Sequence, residues 1–214
     1  MTFGEVRDRV LQLLDQYTVA GTGVAPSYNN QQDYLNAIPN LVNDAVMEIA
    51  TTAAKIPALL TLSPEEGEVF GNKLRYELPE DFYQFKTGDT FVVTDDERSP
   101  RTLHTNRYQL EGRNYLLIPL SEKGAYTITY YRYPRLLGAR PQDADELDNL
   151  PETHYAVPFY VAAHLVLHDD PFLYASFYNK YEDKLAKLHP GVSAEVHPVG
   201  DGYRFHHGDD YYYW

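Results

Sequence analysis

Three groups of residues in this sequence combine side chains that could bind a metal ion. In the first group, His168, Asp169 and Asp170 are adjacent, and His164 lies one helical turn earlier. Such residues can ligate a divalent ion and would suit a small metal-dependent hydrolase. A site of this kind needs further ligands, however, and Asp170 precedes Pro171, where it can cap a helix instead. The sequence favours the structural role and leaves the hydrolase as an alternative.

The second and third groups are also better explained without a metal. Residues 206–210 read His-His-Gly-Asp-Asp. Gly-Asp-Asp occurs in nucleic-acid polymerases, but inside a much larger domain, so we expect a turn here, with a histidine–carboxylate site as the alternative. Asp143, Asp145 and Asp148 lack the glycine and terminal glutamate of a calcium-binding EF-hand loop, which predicts a solvated loop. Phosphate-binding, dinucleotide-binding and serine-hydrolase motifs are missing. We therefore expect no enzyme, cofactor or metal.

Aromatic residues are concentrated at the end of the chain. The sequence contains 20 tyrosines, and its single tryptophan is the last residue. Large rings with polar tips are typical of surfaces buried against another protein. We expect residues 190–214 to form an extended docking tail, with self-packing over its own domain as the alternative. The predicted docking residues are Tyr203, Phe205, Tyr211, Tyr212, Tyr213 and Trp214.

The charge and composition limit the classes of partner. The formal net charge is −13, which opposes contact with nucleic-acid phosphates over most of the surface and excludes sequence-specific DNA recognition. There are no cysteines, hence neither disulfides nor thiolate metal sites. The start of the chain lacks the pattern of a signal peptide, and no stretch is as long as a membrane span, so we expect a protein made in the cytoplasm with no membrane partner.

The spacing of apolar residues predicts the elements that hold these groups. Helices are predicted at residues 3–17, 30–56, 155–169 and 171–188. Alternating residues and a Gly71-Asn72 turn predict antiparallel strands between residues 67 and 133, followed by an acidic connection at 134–151. We therefore expect a mainly α fold of the α+β class, in which a bundle of about four helices carries a small antiparallel sheet. Residues 1–189 would form its single domain.

The order of these elements and several short motifs resemble the head–tail adaptor (connector) proteins of tailed bacteriophages, particularly the tail tubular adaptors. The motifs are Leu78-Pro79-Glu80-Asp81-Phe82, Tyr130-Tyr131-Arg132-Tyr133-Pro134, Leu150-Pro151-Glu152 with Tyr155, Phe159-Tyr160-Val161-Ala162-Ala163, Asp170-Pro171, and Tyr178-Asn179-Lys180-Tyr181-Glu182. The likeness spans roughly residues 28 to 188.

The resemblance implies a structural virion protein at the neck, between capsid and tail. It implies a homo-oligomeric ring, commonly of twelve copies, which continues the DNA channel below the portal without reading the DNA sequence. The C-terminal tail would dock on the portal. A loop would face a downstream tail or nozzle protein, and its residues are Asp95, Asp96, Glu97, Arg98 and Arg101. Another ring protein of the neck or tail, a stopper or a tube terminator, is the alternative within this class.

Overall fold

The computed structural model describes residues 1–19, 28–86, 91–95, 98–103, 108–122 and 124–188. This part of the chain contains four α-helices and nine β-strands. In chain order they are α1 (Phe3–Val19), α2 (Tyr28–Thr52), β1 (Ile56–Leu62), β2 (Glu68–Phe70), β3 (Lys73–Glu77), β4 (Phe82–Phe85), β5 (Phe91–Asp95), β6 (Arg98–Leu103), β7 (Gln109–Glu111), β8 (Tyr115–Pro119), β9 (Ala125–Arg132), α3 (Val157–Val166) and α4 (Pro171–Ala186).

The four helices pack around one hydrophobic core, together with the connection that precedes α3. Val6 of α1, Val42 of α2, Val161 of α3 and Phe177 of α4 are all fully buried in this core. Local capping fixes the helix starts. Thr2 and Glu5 exchange the two hydrogen bonds of a capping box, and Asp170 caps α4 by accepting from the backbone N–H groups of the next turn. We call this region the helical part.

The strands form two antiparallel sheets. In the five-stranded sheet, β9 is central, with β1 along one side and β4 and then β5 along the other, and β6 pairs with β5. The four-stranded sheet has the order β2-β3-β8-β7. One apolar cluster contains residues from both sheets, including Leu74, Leu116, Tyr126 and Ile128. We call this region the sheet part.

Glycine sets the two tight turns of the four-stranded sheet. Gly71 joins β2 to β3 with φ +63°, and Gly112 joins β7 to β8 with φ +62°. Residues with a Cβ atom rarely adopt these values, so glycine is favoured at both positions. The Gly71-Asn72 turn predicted from the sequence is therefore present.

The expectation of a mainly α fold is wrong. Two sheets with nine strands among the described residues make this a mixed α+β fold, not a helical bundle with one small sheet. The apolar run at Ile56–Leu62 was assigned in part to the end of α2, yet α2 ends at Thr52 and the run forms β1 with alternating exposure. The polar sequence of β6 gave no strand signal. β1 owes its conformation to pairing with the distant strand β9, and β6 to pairing with the neighbouring strand β5, and sequence periodicity records neither pairing.

Candidate functional site

The predicted docking residues fall largely outside the described part of the chain. Tyr203, Phe205 and the four residues from Tyr211 to Trp214 lie beyond residue 188, as does the 206–210 cluster, and the prediction for them stays a prediction. Of the predicted tail-facing loop, Asp95 ends β5 and Arg98 begins β6, where the two are directly paired. Arg101 lies opposite Val93 in the same hairpin. Asp96 and Glu97 lie outside the described residues.

A two-pronged ion pair joins the sheet part to the connection that precedes α3. Arg132, the last residue of β9, donates from its two terminal nitrogens to the two carboxylate oxygens of Asp148, at 2.6 Å and 2.7 Å. Asp148 also accepts from the backbone N–H of Arg135 at 2.7 Å. Planar guanidinium and carboxylate groups in this arrangement fix direction as well as distance. The pair therefore sets how the chain leaves the central strand.

Asp81 forms a second link at the same end of β9. The Tyr130 hydroxyl donates to its carboxylate at 3.0 Å, and the Tyr133 backbone N–H donates to its carbonyl at 2.7 Å. The Phe82 ring packs against Tyr130 with centroids 5.7 Å apart. Two of the motifs that carry the resemblance, Leu78 to Phe82 and Tyr130 to Pro134, are thus in direct contact. Their role in the fold is to fix the junction between β9 and its neighbours.

These contacts shift the pKa values of the groups involved. The hydrogen bonds from Arg132 lower the pKa of Asp148, which keeps this carboxylate charged. Burial raises the pKa of Tyr130 to about 12, and its hydrogen bond to Asp81 acts in the same direction. Each pKa shift favours the form of the group that makes the observed contact, which is the ionised form for Asp148 and the protonated form for Tyr130. The groups are suited to holding structure and not to exchanging protons near neutral pH.

The aromatic residues of α4 pack against α3. His164 stacks on Tyr160 with centroids 4.0 Å apart, and Tyr174, Tyr178 and Tyr181 continue the cluster. The Tyr181 hydroxyl donates to Glu48 of α2 at 2.9 Å, and burial raises the pKa of Tyr181. Three helices are therefore tied together by rings whose polar tips have partners within the chain.

Three of the residues considered for metal binding have hydrogen-bond partners of their own. Asp170 accepts from Phe172 and Leu173 at the start of α4, and Asp169 accepts from the Tyr34 hydroxyl at 2.8 Å. His164 Nδ1 lies 2.9 Å from the Tyr160 carbonyl oxygen. Among the residues with described positions, no group of three or more potential ligands converges on one point.

The aspartates of the acidic connection also have separate partners. Asp143 pairs with Arg7 of α1 at 2.5 Å, and Asp145 accepts from the Gln142 backbone N–H at 2.8 Å. Asp148 is held by Arg132, as described above. Each carboxylate therefore has its own local partner and helps to fix the connection against α1 and β9. The prediction of a merely solvated loop missed these anchoring bonds.

Comparison with known families identifies the class of protein. Residues 1–199 match the family model described as SU10 adaptor protein. The chain belongs to the SU10 adaptor protein family. No curated protein matches the sequence. Family membership confirms the resemblance to phage head–tail adaptors and indicates a structural component of the virion neck, associated with portal and tail proteins, in place of an enzyme.

An adaptor protein acts through its surfaces, and one open surface lies at the junction described above. An open groove of about 380 Å³ lies beside the Arg132–Asp148 pair and is lined mainly by residues of the connection, among them Arg135, Leu136 and Leu137.

Within the described helices, none is both long and apolar enough to cross a membrane. The sequence signal for the junction was the motif Tyr130 to Pro134, whose arginine has its partner 16 residues away.

Proposed function

We propose that this protein forms a ring between the portal and the tail of a phage particle, where it extends the DNA channel and recruits tail components. The observation that carries the proposal is the match of residues 1–199 to the SU10 adaptor family model. A copy number of twelve is part of the proposal. Contacts between neighbouring copies would hold each copy in its place in the ring. No catalytic centre is proposed.

The charge of the chain supports a role in DNA passage. At −13 the protein repels phosphate over most of its surface, so a channel lined by several copies would let DNA slide without adhering. Strong binding to phosphates would slow ejection, because each neutralised phosphate adds to the affinity. An acidic adaptor is therefore suited to passing DNA of any sequence.

The C-terminal tail is proposed to dock on the portal. Within the described residues, the buried core side chains all lie at or before Tyr181, and Leu185 is the last side chain packed against them. The aromatic residues of the tail are proposed to contact the portal, and the proposed contacts are Tyr203, Phe205, Tyr211, Tyr212, Tyr213 and Trp214.

The β5–β6 hairpin is proposed to face a downstream tail or nozzle protein of the phage. In the strand order β1-β9-β5-β6, the hairpin lies at the edge of the five-stranded sheet opposite β1. Its proposed contact residues are Asp95, Asp96, Glu97, Arg98 and Arg101. A mixture of both charges in one hairpin is suited to orienting a partner of complementary charge.

Truncation after Pro190 tests the docking proposal. The shortened chain should keep its circular dichroism spectrum and its unfolding midpoint, because the proposal places the tail on the portal and not on its own domain. It should fail to join portal rings in electron micrographs. A full-length chain with Asp95 and Arg98 both changed to Ser is the matched control, and it should still join portal rings. Portal binding by the truncated chain would contradict the assignment of the tail.

A further inference from the structure

The apolar face of the four-stranded sheet continues to both of its edges. Val69 pairs with Leu74, Leu74 with Ile118, and Leu110 with Leu116. Directly paired residues point to the same face of a sheet, and so do residues two apart on one strand. These five side chains therefore form one apolar surface. Its middle is buried, while Val69 at one edge is 67% exposed and Leu110 at the other edge is 46% exposed.

The two edge strands are open. All three residues of β2 and all three of β7 are exposed. Within the described residues, β2 pairs only with β3, and β7 pairs only with β8. Open edges with apolar residues are surfaces on which another strand can pair.

The strand directions favour a head-to-tail joint between copies. The sheet has four strands and every neighbouring pair is antiparallel, so its two edge strands, β2 and β7, run in opposite directions. A second copy placed beside the first in the same orientation would bring its β7 against β2 in antiparallel alignment. The alternation of the sheet would continue across the joint. A contact between two different surfaces of identical copies is the kind that closes into a ring.

The charges next to the two edges are complementary. With Val69 opposite Leu110 of a second copy, Arg113, which follows β7, comes near Glu65 and Glu66, which precede β2. All three residues are exposed, and among the described residues neither Arg113 nor Glu65 has an ion-pair partner. In the same alignment Glu68 lies directly opposite Glu111, and this pair of like charges opposes the contact. Arg75, which binds Glu68 at 2.6 Å, offsets part of that repulsion. The favourable charges are therefore those of Arg113 with Glu65 and Glu66.

We propose that β2 of one copy pairs with β7 of the next copy, so that the four-stranded sheets join into a continuous band around the ring. The partner is a second copy of this chain, and the inference rests on the proposed function for its ring geometry. The joint covers Val69 and Leu110 together and extends the core of the sheet part across the boundary between copies. Because the two edges differ in sequence, all copies in the band would have the same orientation.

Disulfide trapping between copies tests this joint. The chain has no cysteine, so single cysteines can be placed without background. Directly opposed residues on antiparallel strands have Cα atoms about 4.5 to 5.5 Å apart, within the range that a disulfide spans. Full-length Val69→Cys and Leu110→Cys proteins are oxidised separately and as an equal mixture, in solution at high concentration and on portal rings. A mixture of Val69→Cys with Phe172→Cys, whose side chain is 81% exposed, measures random collision.

The proposal predicts that the Val69→Cys and Leu110→Cys mixture forms a disulfide-linked dimer at least tenfold faster than the collision control. Neither protein should form a comparable dimer alone. A chain with both cysteines should give a ladder of linked oligomers. Cross-linking no faster than the control, in solution and on portal rings, would overturn the joint, and rapid dimers of Val69→Cys alone would replace it with a two-fold β2 contact.

Recruitment to portal rings separates failure of the joint from failure of the proposed function. If the chains join portal rings and no ladder forms, the joint is wrong and the adaptor role stands. If the ladder forms in solution and the chains do not join portal rings, the joint stands and the adaptor role is wrong.

Discussion

The helical part and the sheet part end their buried surfaces in different ways. In the helical part, aromatic side chains at the margin of the core place their hydroxyl groups on carboxylates of the same chain, as Tyr181 does with Glu48 and Tyr34 with Asp169. In the four-stranded sheet, the apolar row ends in solvent at Val69 and Leu110. These tyrosine hydroxyls of the helical part therefore have partners within the chain, whereas the sheet part leaves apolar residues exposed at two edges. Under our proposal of a joint between copies, the difference separates residues that stabilise the fold from residues that serve assembly.

The largest effect should come from opening the core of the helical part. Phe177→Ala removes a ring that is fully buried in the core of the helical part and should lower the free energy of unfolding by about 3 to 5 kcal/mol. Phe172→Ala on the same helix is the matched control, because its ring is largely exposed and its loss should cost less than about 0.5 kcal/mol. Urea denaturation of both variants measures the difference. Equal effects would contradict the assignment of Phe177 to the core.

The next effect should come from breaking the link between the two parts. Asp148→Asn removes the ion pair with Arg132, whose side chain is largely buried, and should cost about 2 kcal/mol. Asp183→Asn is the control, since its pair with Lys187 is exposed and should be worth about 0.3 to 0.5 kcal/mol. A small effect at Asp148 would mean that the junction does not depend on this pair.

The acid dependence of stability gives a second test of the Arg132–Asp148 pair. Because the folded-state pKa of Asp148 is lowered, its contribution is full above the unfolded value of about 3.9 and is lost as the pH falls through the folded pKa. The stability gap between the wild type and Asp148→Asn should therefore be constant above about pH 5 and shrink in more acidic solution. A gap that does not change with pH would contradict the pairing.

Three tyrosines allow a finer comparison of the two parts. Tyr181→Phe and Tyr130→Phe each remove a hydroxyl that donates to a carboxylate and should each cost about 1 to 2 kcal/mol. Tyr76→Phe should be neutral or slightly stabilising, because the buried Tyr76 hydroxyl has no hydrogen-bond partner among the residues that the structure describes. Thermal unfolding of the three variants should give this order. A loss at Tyr76 equal to the other two would indicate a partner that the structure does not contain.

The smallest predicted change concerns alkaline stability. The pKa of Tyr130 is raised to about 12 in the folded state, against about 10 in the unfolded chain. Its contribution is therefore complete below pH 10 and is lost as the pH rises toward 12. Between pH 10 and pH 12, the free energy of unfolding of Tyr130→Phe should therefore fall less steeply than that of the wild type. Identical alkaline profiles would show that ionisation of Tyr130 does not govern unfolding there.

Local signals in the sequence predicted some features well and others poorly. The cap at Asp170 and the Gly71 turn depend on residues within four positions of one another, and both are present. β1 was missed because it continues an apolar run after α2 and becomes a strand only by pairing with β9. β6 is polar and is a strand only through β5. Strand pairing, with a distant strand for β1 and with the next strand for β6, made the fold more β-rich than the sequence indicated.

The candidate site shows the same limit. The motif around Arg132 was recognised as part of a family pattern, but its partner Asp148 was assigned to a solvated loop, because nothing local in the sequence links the two. The exposed edges at Val69 and Leu110 gave no signal, since a strand edge can be recognised only when the order of strands is known. Family resemblance succeeded where residue patterns failed because it depends on the order of many weak motifs together.

An electron microscopy map of the phage neck tests the central claim most directly. The account predicts several copies of this chain arranged as a ring between portal and tail, with the aromatic residues from Tyr203 to Trp214 against the portal. Copies located below another neck protein, with no contact to the portal, or no copies in the neck at all, would contradict it.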